Sequence, residues 1–254
     1  MTAWGEDRDS REARCRSRGA IVFAAGAVLA NLLAHGCASV PYDRGVPFQD
    51  EALVARLVRA AAEMYPPSLR ADQVVALEAG GRRMDHFRVC ALARRPDDVR
   101  LVAISDFGNT IFDVVRTPGG TRIVKDCPEV PRRWLTEAAA RDIAVAYLAR
   151  PSPQARLVRH DDGTVGLVED LRGGRCREFI FDPAAGRLTG YIEARGNRLV
   201  YRAAFSGYRM AASWPRQVPG AIDVTDFRLD YRLTVQVLDV GARPLDDKVF
   251  SERP

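Results

Sequence analysis

Between residues 73 and 125, and again between 155 and 240, apolar side chains recur at every second position, and tight-turn residues separate the runs. Alternation of this kind gives each segment one apolar and one wet face, the pattern of a strand lying half buried on a sheet. The clearest case is 227–240. Phe227, Leu229, Tyr231, Leu233, Val235 and Val237 point one way, and Arg228, Asp230, Arg232, Thr234 and Gln236 the other. Earlier strands are predicted at 73–78, 85–93, 99–105, 110–116 and 121–125, and later ones at 155–159, 165–170, 175–182, 187–194 and 197–208. Gly80-Gly81, Pro96-Asp97-Asp98, Phe107-Gly108-Asn109, Pro118-Gly119-Gly120, Asp161-Asp162-Gly163, Pro183-Ala184-Ala185-Gly186 and Arg195-Gly196-Asn197 supply the turns. Short strands spaced so closely form an antiparallel meander.

Two segments break the period. Residues 49–65 carry Leu53, Leu57, Ala60-Ala61 and Met64 at helical spacing, and Pro66-Pro67 stops them. This helix either packs on the core or covers a cavity as a lid; periodicity does not separate the two. A second helix is predicted at 131–149, with Pro131 in its first turn and Pro151 beyond its end. Trp134, Ala138, the stem of Arg141, Val145 and Leu148 form its apolar stripe. About eleven strands without βαβ alternation make a sheet that must curl or split into layers. The fold class is therefore mainly β with two or three helices: an antiparallel, strongly curved open half-barrel with a helical lid. A β-sandwich or closed barrel is the competing architecture.

The N-terminus reads differently. Arg8, Arg11, Arg14, Arg16 and Arg18 form a basic region, and an apolar run follows from Ala20 to Ala34. That run is short of the roughly 20 residues a transmembrane helix wants, and it suits a signal peptide. It ends in Leu33-Ala34-His35-Gly36-Cys37-Ala38-Ser39, which resembles the lipobox of bacterial lipoproteins. The resemblance implies diacylglyceryl transfer to the Cys37 thiol, cleavage before it, and acylation of the new amine by a palmitate-type chain. An ordinary secretory signal cut near Ala34 or Gly36 is the alternative. Ala38 and Ser39 lack the Asp that retains enteric lipoproteins at the inner membrane, which implies a lipid-anchored, periplasm-facing protein of the outer membrane. The expected organisation is a signal peptide over 1–36, a lipidated tether over 37–48, one domain over 49–245 and a tail over 246–254.

An exported domain folds where disulfides are permitted. Beyond Cys15 and Cys37 the chain holds Cys90, Cys127 and Cys176. Cys90 sits in an apolar strand pattern and reads as a buried small hydrophobe. A Cys127–Cys176 bridge is the favoured pairing, contributing on the order of 4 kcal/mol by loop closure.

Lipobox, leading helix, meander and second helix together resemble LolA/LolB-type envelope lipoprotein carriers. The likeness is closer to an uncharacterised family of bacterial lipoproteins placed near that fold and frequently encoded beside aryl polyene biosynthesis genes. It is carried by the stretch from Val99 to Phe112 with its Phe107-Gly108 turn, by Pro128-Glu129-Val130-Pro131-Arg132-Arg133-Trp134-Leu135, and by Trp214-Pro215 ahead of the 228–237 strand. The resemblance implies a concave apolar face that takes up a lipid, a lipoprotein acyl chain or a polyene, in a carrier or acceptor at the outer membrane. Phe107, Phe112, Trp134, Phe179, Phe181, Tyr191, Leu229, Tyr231, Leu233 and Val235 are expected to line that interior or its mouth, as ligand contacts or as packed core.

Catalytic patterns are sparse. His160-Asp161-Asp162 precedes Gly163 between two strands and reads as a hairpin turn, and His86 lies exposed in a strand. There is no Gly-x-Ser-x-Gly elbow, no phosphate loop, and no pair of cysteines at metal-ligand spacing. No cofactor or metal is expected. The formal charge of +5 is spread through the chain beside acids rather than gathered on one element, which argues against a nucleic-acid partner. A hydrophobic-ligand carrier is the first reading and a non-catalytic scaffold of the cell envelope, with envelope proteins as partners, the second; an enzyme, which would need a buried carboxylate or His in a cleft, is the third and is not expected.

Overall fold

A computed structural model of the chain describes residues 40–251; the expected signal segment and Cys37 lie outside the described residues. The strands are β1 (Val46–Pro47), β2 (Ser68–Ala79), β3 (Arg82–Arg94), β4 (Asp98–Ile104), β5 (Thr110–Thr117), β6 (Gly120–Lys125), β7 (Arg156–Arg159), β8 (Val165–Leu171), β9 (Arg175–Asp182), β10 (Arg187–Arg195), β11 (Arg198–Ser206), β12 (Arg209–Met210), β13 (Gln217–Val218), β14 (Ala221–Asp226) and β15 (Tyr231–Ala242). Thirteen of them form one antiparallel sheet in the order β1-β7-β8-β9-β10-β11-β14-β15-β2-β3-β4-β5-β6, while β12 pairs with β13 alone. The sheet has two free edges, β1 and β6, so it is open, as the half-barrel reading requires. Two meanders meet at β15, where Leu233 stands opposite Val224 of β14 on one side and Leu77 of β2 on the other. Register shifts at Val75/Leu77, Leu188/Gly190 and Val237/Asp239 bend and twist the strands.

The last strand departs from its predicted bounds. Residues 227–230 are a turn, and a strand that sequence reading missed, β14, precedes them. Asp226 explains the break: its Oδ1 accepts from the Arg228 and Leu229 amides at 2.8 and 2.7 Å, an Asx turn that competes with the ladder. Phe227 is consequently exposed at a hairpin tip.

Helix α1 (Glu51–Met64) starts where Asp50 accepts from the Leu53 amide at 2.8 Å. It buries Leu57, Ala61 and Met64 against the sheet. The second helix, α2, runs over 132–148 and mixes α turns with two π stretches, Leu135–Ala139 and Ala144–Leu148. Its expected single stripe is too narrow a description. Leu135, Ala139, Ala140, Ile143, Ala146 and Tyr147 are buried together with Trp134, Ala138, Val145 and Leu148. From Ala138 to Leu148 the helix is covered almost all round, while Arg132, Arg133, Thr136 and Glu137 keep one face of its first turns exposed. It fills the hollow of the sheet, and its small alanines let the backbone pack closely there. Arg95 and Arg150 cap the converging helix ends, donating to the carbonyls of Ala62 and Tyr65 and of Tyr147 and Ala149. Burial and the Arg95 charge push the Arg150 guanidinium down to about 10.

The described parts of both expected flanks, residues 41–48 and 246–251, belong to the folded unit. The segment placed in the tether pairs through β1 with β7, and the Tyr42 amide donates to Asn197 O at 3.0 Å. The expected tail forms α3 (Asp247–Ser251), whose Phe250 ring lies under Arg94 at 4.9 Å. Residues from Pro41 onward form one compact unit.

The expected disulfide is absent: Cys90, Cys127 and Cys176 are free. Cys127 packs with the interior cluster, and its thiol lies 2.9 Å from Glu129 Oε2. Cys176 belongs to a separate patch with Tyr42, Val158, Val168 and Ala194. Cys90 is half-buried rather than buried, because its strand faces outward there beside Arg70 and Asp72.

Candidate functional site: a groove beside the first helix

Eight of the ten residues expected to line the interior are brought together. Phe112, Trp134, Phe179, Phe181, Tyr191, Tyr231, Leu233 and Val235 share one buried cluster with α2, each no more than 4% exposed. Edge-to-face contacts tie them: Phe112 to Trp134 at 5.8 Å, Trp134 to Tyr231 at 6.5 Å, and Phe179 to Tyr191 at 5.1 Å. Leu229 packs half-buried on the same cluster. Phe107 departs from the expectation. It stands 92% exposed at the tip of the β4–β5 hairpin, outside the interior, because the turn residues carry it past the last strand pair.

Inside the hollow lies a polar centre that the sequence reading did not identify. Arg141 Nη2 donates to Asp226 Oδ2 at 2.6 Å and to Tyr231 OH at 2.8 Å, and its guanidinium stacks over the Tyr201 ring at 4.5 Å. Tyr231 OH reaches both oxygens of Asp142, at 2.8 and 2.7 Å. Burial pushes the Asp142 carboxyl up to about 6 even against the pull of Arg141. Burial also works against the Arg141 charge, but the surrounding acidic groups outweigh it and keep the guanidinium protonated. The available signal was Arg141-Asp142 in the middle of an otherwise apolar, alanine-rich helix. Treating Arg141 as a stem alone hid it.

A second buried acid lies under the N-terminal segment. Glu178 Oε2 accepts from Tyr42 OH at 2.8 Å, and Oε1 lies 2.7 Å from His160 Nε2. Burial raises the Glu178 carboxyl above the usual range, while Tyr42 and His160 restrain it. Only glycine fits at 166, since a Cβ there would sit 1.7 Å from Glu178 Oε1. His160 does stand in the expected hairpin turn, with the Gly163 amide donating to its carbonyl at 3.0 Å. Among the described residues no group of three or more His, Cys, Asp or Glu is placed to hold a metal.

Open space of ligand size lies elsewhere. A groove of about 950 Å³ runs between α1 and residues 153–157, lined by Phe48, Val54, Val58 and Leu157 and also by the charged Glu51, Arg59 and Arg156. That volume is within the range of small-molecule sites. Its construction follows from α1. Leu57, Ala61 and Met64 face the core, whereas Val54 and Val58, one turn apart, form a second apolar strip. None of the ten expected residues lines this groove.

No protein-family model matches the chain, and no curated protein matches its sequence. Solved structures do. A LolA superfamily protein from Nitrosomonas europaea aligns with 78% of this chain and 97% of its own at a TM-score of 0.55 and 14% identity. The fold is LolA-like. A putative outer membrane lipoprotein-sorting protein domain from Vibrio parahaemolyticus aligns with 80% of this chain and 97% of its own, at a TM-score of 0.49 and 11% identity. A DUF1329 family protein from Desulfovibrio piger covers the same shares at 0.48 and 12%.

Proposed function

We propose that the chain is an exported envelope lipoprotein, anchored through Cys37, that holds an acyl chain or a similar hydrophobic ligand in the groove beside α1. The observation that carries the reading is a groove of about 950 Å³, with an apolar strip in a wall that also holds charged groups, on a LolA-like fold. Burying methylenes there contributes about 0.8 kcal/mol each. The concave interior expected to hold the ligand is occupied by α2, so its aromatic residues act as packed core. Lipidated Cys37 supplies the two or more chains that stable anchoring needs, and Ala38-Ser39 points to the outer membrane.

One observation favours a second reading, a non-catalytic scaffold: α2 plugs the hollow that a carrier would leave open. Native mass spectrometry after gentle extraction separates them. Retained lipid supports the carrier, and bare protein the scaffold. The anchor has its own test. Cys37→Ser protein moves to the soluble fraction or stays unprocessed; mature, membrane-bound Cys37→Ser protein contradicts lipidation.

A further inference from the structure

In an antiparallel sheet whose neighbours all run oppositely, the β8–β9, β10–β11 and β14–β15 hairpins turn at the same end. At two of these tips the register sets like charges against each other. Arg175 stands directly opposite Arg195, and Arg195 directly opposite Arg198. Leu171 continues the row opposite Arg175, and Arg172 lies in the turn beside it. All four arginines are exposed, as is Leu171 at 37%. The Gly196 amide donates to Gly174 O at 2.9 Å and ties the two tips together.

Like charges directly opposite on adjacent strands destabilise a sheet. Arg100 and Arg177, by contrast, each meet an acid on the neighbouring strand, Asp113 at 2.6 Å and Glu169 at 2.7 Å. Among the described residues Arg172, Arg175, Arg195 and Arg198 make no ion pair. The neighbouring acids do not answer them: Asp170 lies opposite Cys176, one position inward, and Glu193 accepts from Tyr191 OH at 2.8 Å. A row of uncompensated charge retained at a cost to the fold calls for an anion from outside.

The chain itself says which. Pro41 is bridged to Arg198, and Arg44 Nη2 donates to Gly196 O at 3.2 Å, so the N-terminal segment leaves the domain at this same row. Cys37 is four residues earlier, a reach of roughly 14 Å at full extension. We propose that the Arg172–Arg175–Arg195–Arg198 rim docks on the anionic headgroups of the membrane to which the chain is anchored, with Leu171 entering the interface. The placement of the membrane at this rim rests on the Cys37 anchor; the affinity of the rim for anionic lipid does not. Docking at this end fixes the orientation of the domain on the bilayer, which a long flexible tether would leave free.

The test is vesicle flotation with the chain from residue 38 onward, which has no Cys37 and keeps the whole compact unit. Vesicles containing phosphatidylglycerol are compared with vesicles of phosphatidylcholine alone, at low and raised salt. Wild-type protein is expected to float with the anionic vesicles only, and to be released by salt. The triple variant Arg175→Gln/Arg195→Gln/Arg198→Gln is expected to bind roughly a hundredfold more weakly, with a melting temperature unchanged or raised. The single variant Arg195→Gln is expected to show a partial loss and guards against misfolding of the triple. No binding to anionic vesicles at low salt, equal binding to both vesicle types, or a triple variant that binds like wild type overturns the proposal. Because the probe lacks Cys37, these outcomes are independent of the Cys37→Ser localisation result.

Discussion

Arg141 reaches from α2 to Asp226 at the end of β14, with its Nη2 2.6 Å from the Asp226 Oδ2. This bond fixes the plugging helix to the sheet at the turn that separates β14 from β15. Removing one partner of a buried ion pair leaves the other charge uncompensated and costs about 3–5 kcal/mol. Arg141→Met should therefore lower the urea midpoint sharply, and adding Asp142→Asn should recover part of the loss. A loss of under about 1 kcal/mol would mean that the pair does not hold the helix in place.

Asp142 gives the network a pH dependence of a definite sign. Its carboxyl titrates near 6 in the folded protein against an ordinary value of 3.8, because burial disfavours the anion. Between those values the folded state holds a proton that the unfolded state has released. From this group alone, stability falls as pH rises from about 4 to about 6 and is level above. The effect is on the order of 3 kcal/mol. Asp142→Asn lacks it, so wild type should gain on the variant as pH is lowered through this window in urea titrations. A stability difference that stays flat from pH 7 to pH 4 contradicts this.

The three cysteines should behave as independent thiols. Each should react with a thiol reagent after denaturation without reductant, and reductant should leave the melting temperature unchanged. A pair that maps as one bridged peptide from oxidised material would restore the expected Cys127–Cys176 link and require the two clusters to approach.

Much of the fold was legible because its period is two. Every expected strand appears, and Pro66 and Pro131 mark the helix boundaries as read. What was missed has physical causes. In β14 only Ile222 and Val224 alternate as large apolar residues, which is too short a pattern to register. Eight of the ten residues expected inside are buried there, Phe107 and Leu229 being the exceptions, but alternation cannot say whether a hollow is empty. Here α2 fills it. The groove depends on the second strip of α1, Val54 and Val58, which a single-stripe reading passes over. The Tyr42–Glu178–His160 contacts join residues 136 and 18 positions apart, and sequence spacing carries no trace of them.

Those contacts yield a prediction for the N-terminal segment. Tyr42→Phe leaves Glu178 Oε2 without its donor and should cost about 1–3 kcal/mol. Gly166→Ala drives a methyl group into Glu178 and Val158 and should cost at least as much, by overpacking. Denaturant unfolding of both variants checks this. Wild-type stability in either would mean that residues 41–47 are a loose tether after all.

The central claim is that the hydrophobic ligand lies beside α1 and not within the hollow, and titration with a fluorescent fatty acid tests it most directly. Ala55 is exposed and lines the groove, so Ala55→Trp blocks the site without disturbing the core. Leu233→Trp probes the interior instead. The account predicts saturable uptake by wild type and at least about a tenfold loss in Ala55→Trp at an unchanged melting temperature. It also predicts near-wild-type uptake by any Leu233→Trp protein that folds. Absence of uptake by wild type, or Ala55→Trp protein that binds as wild type does, contradicts it.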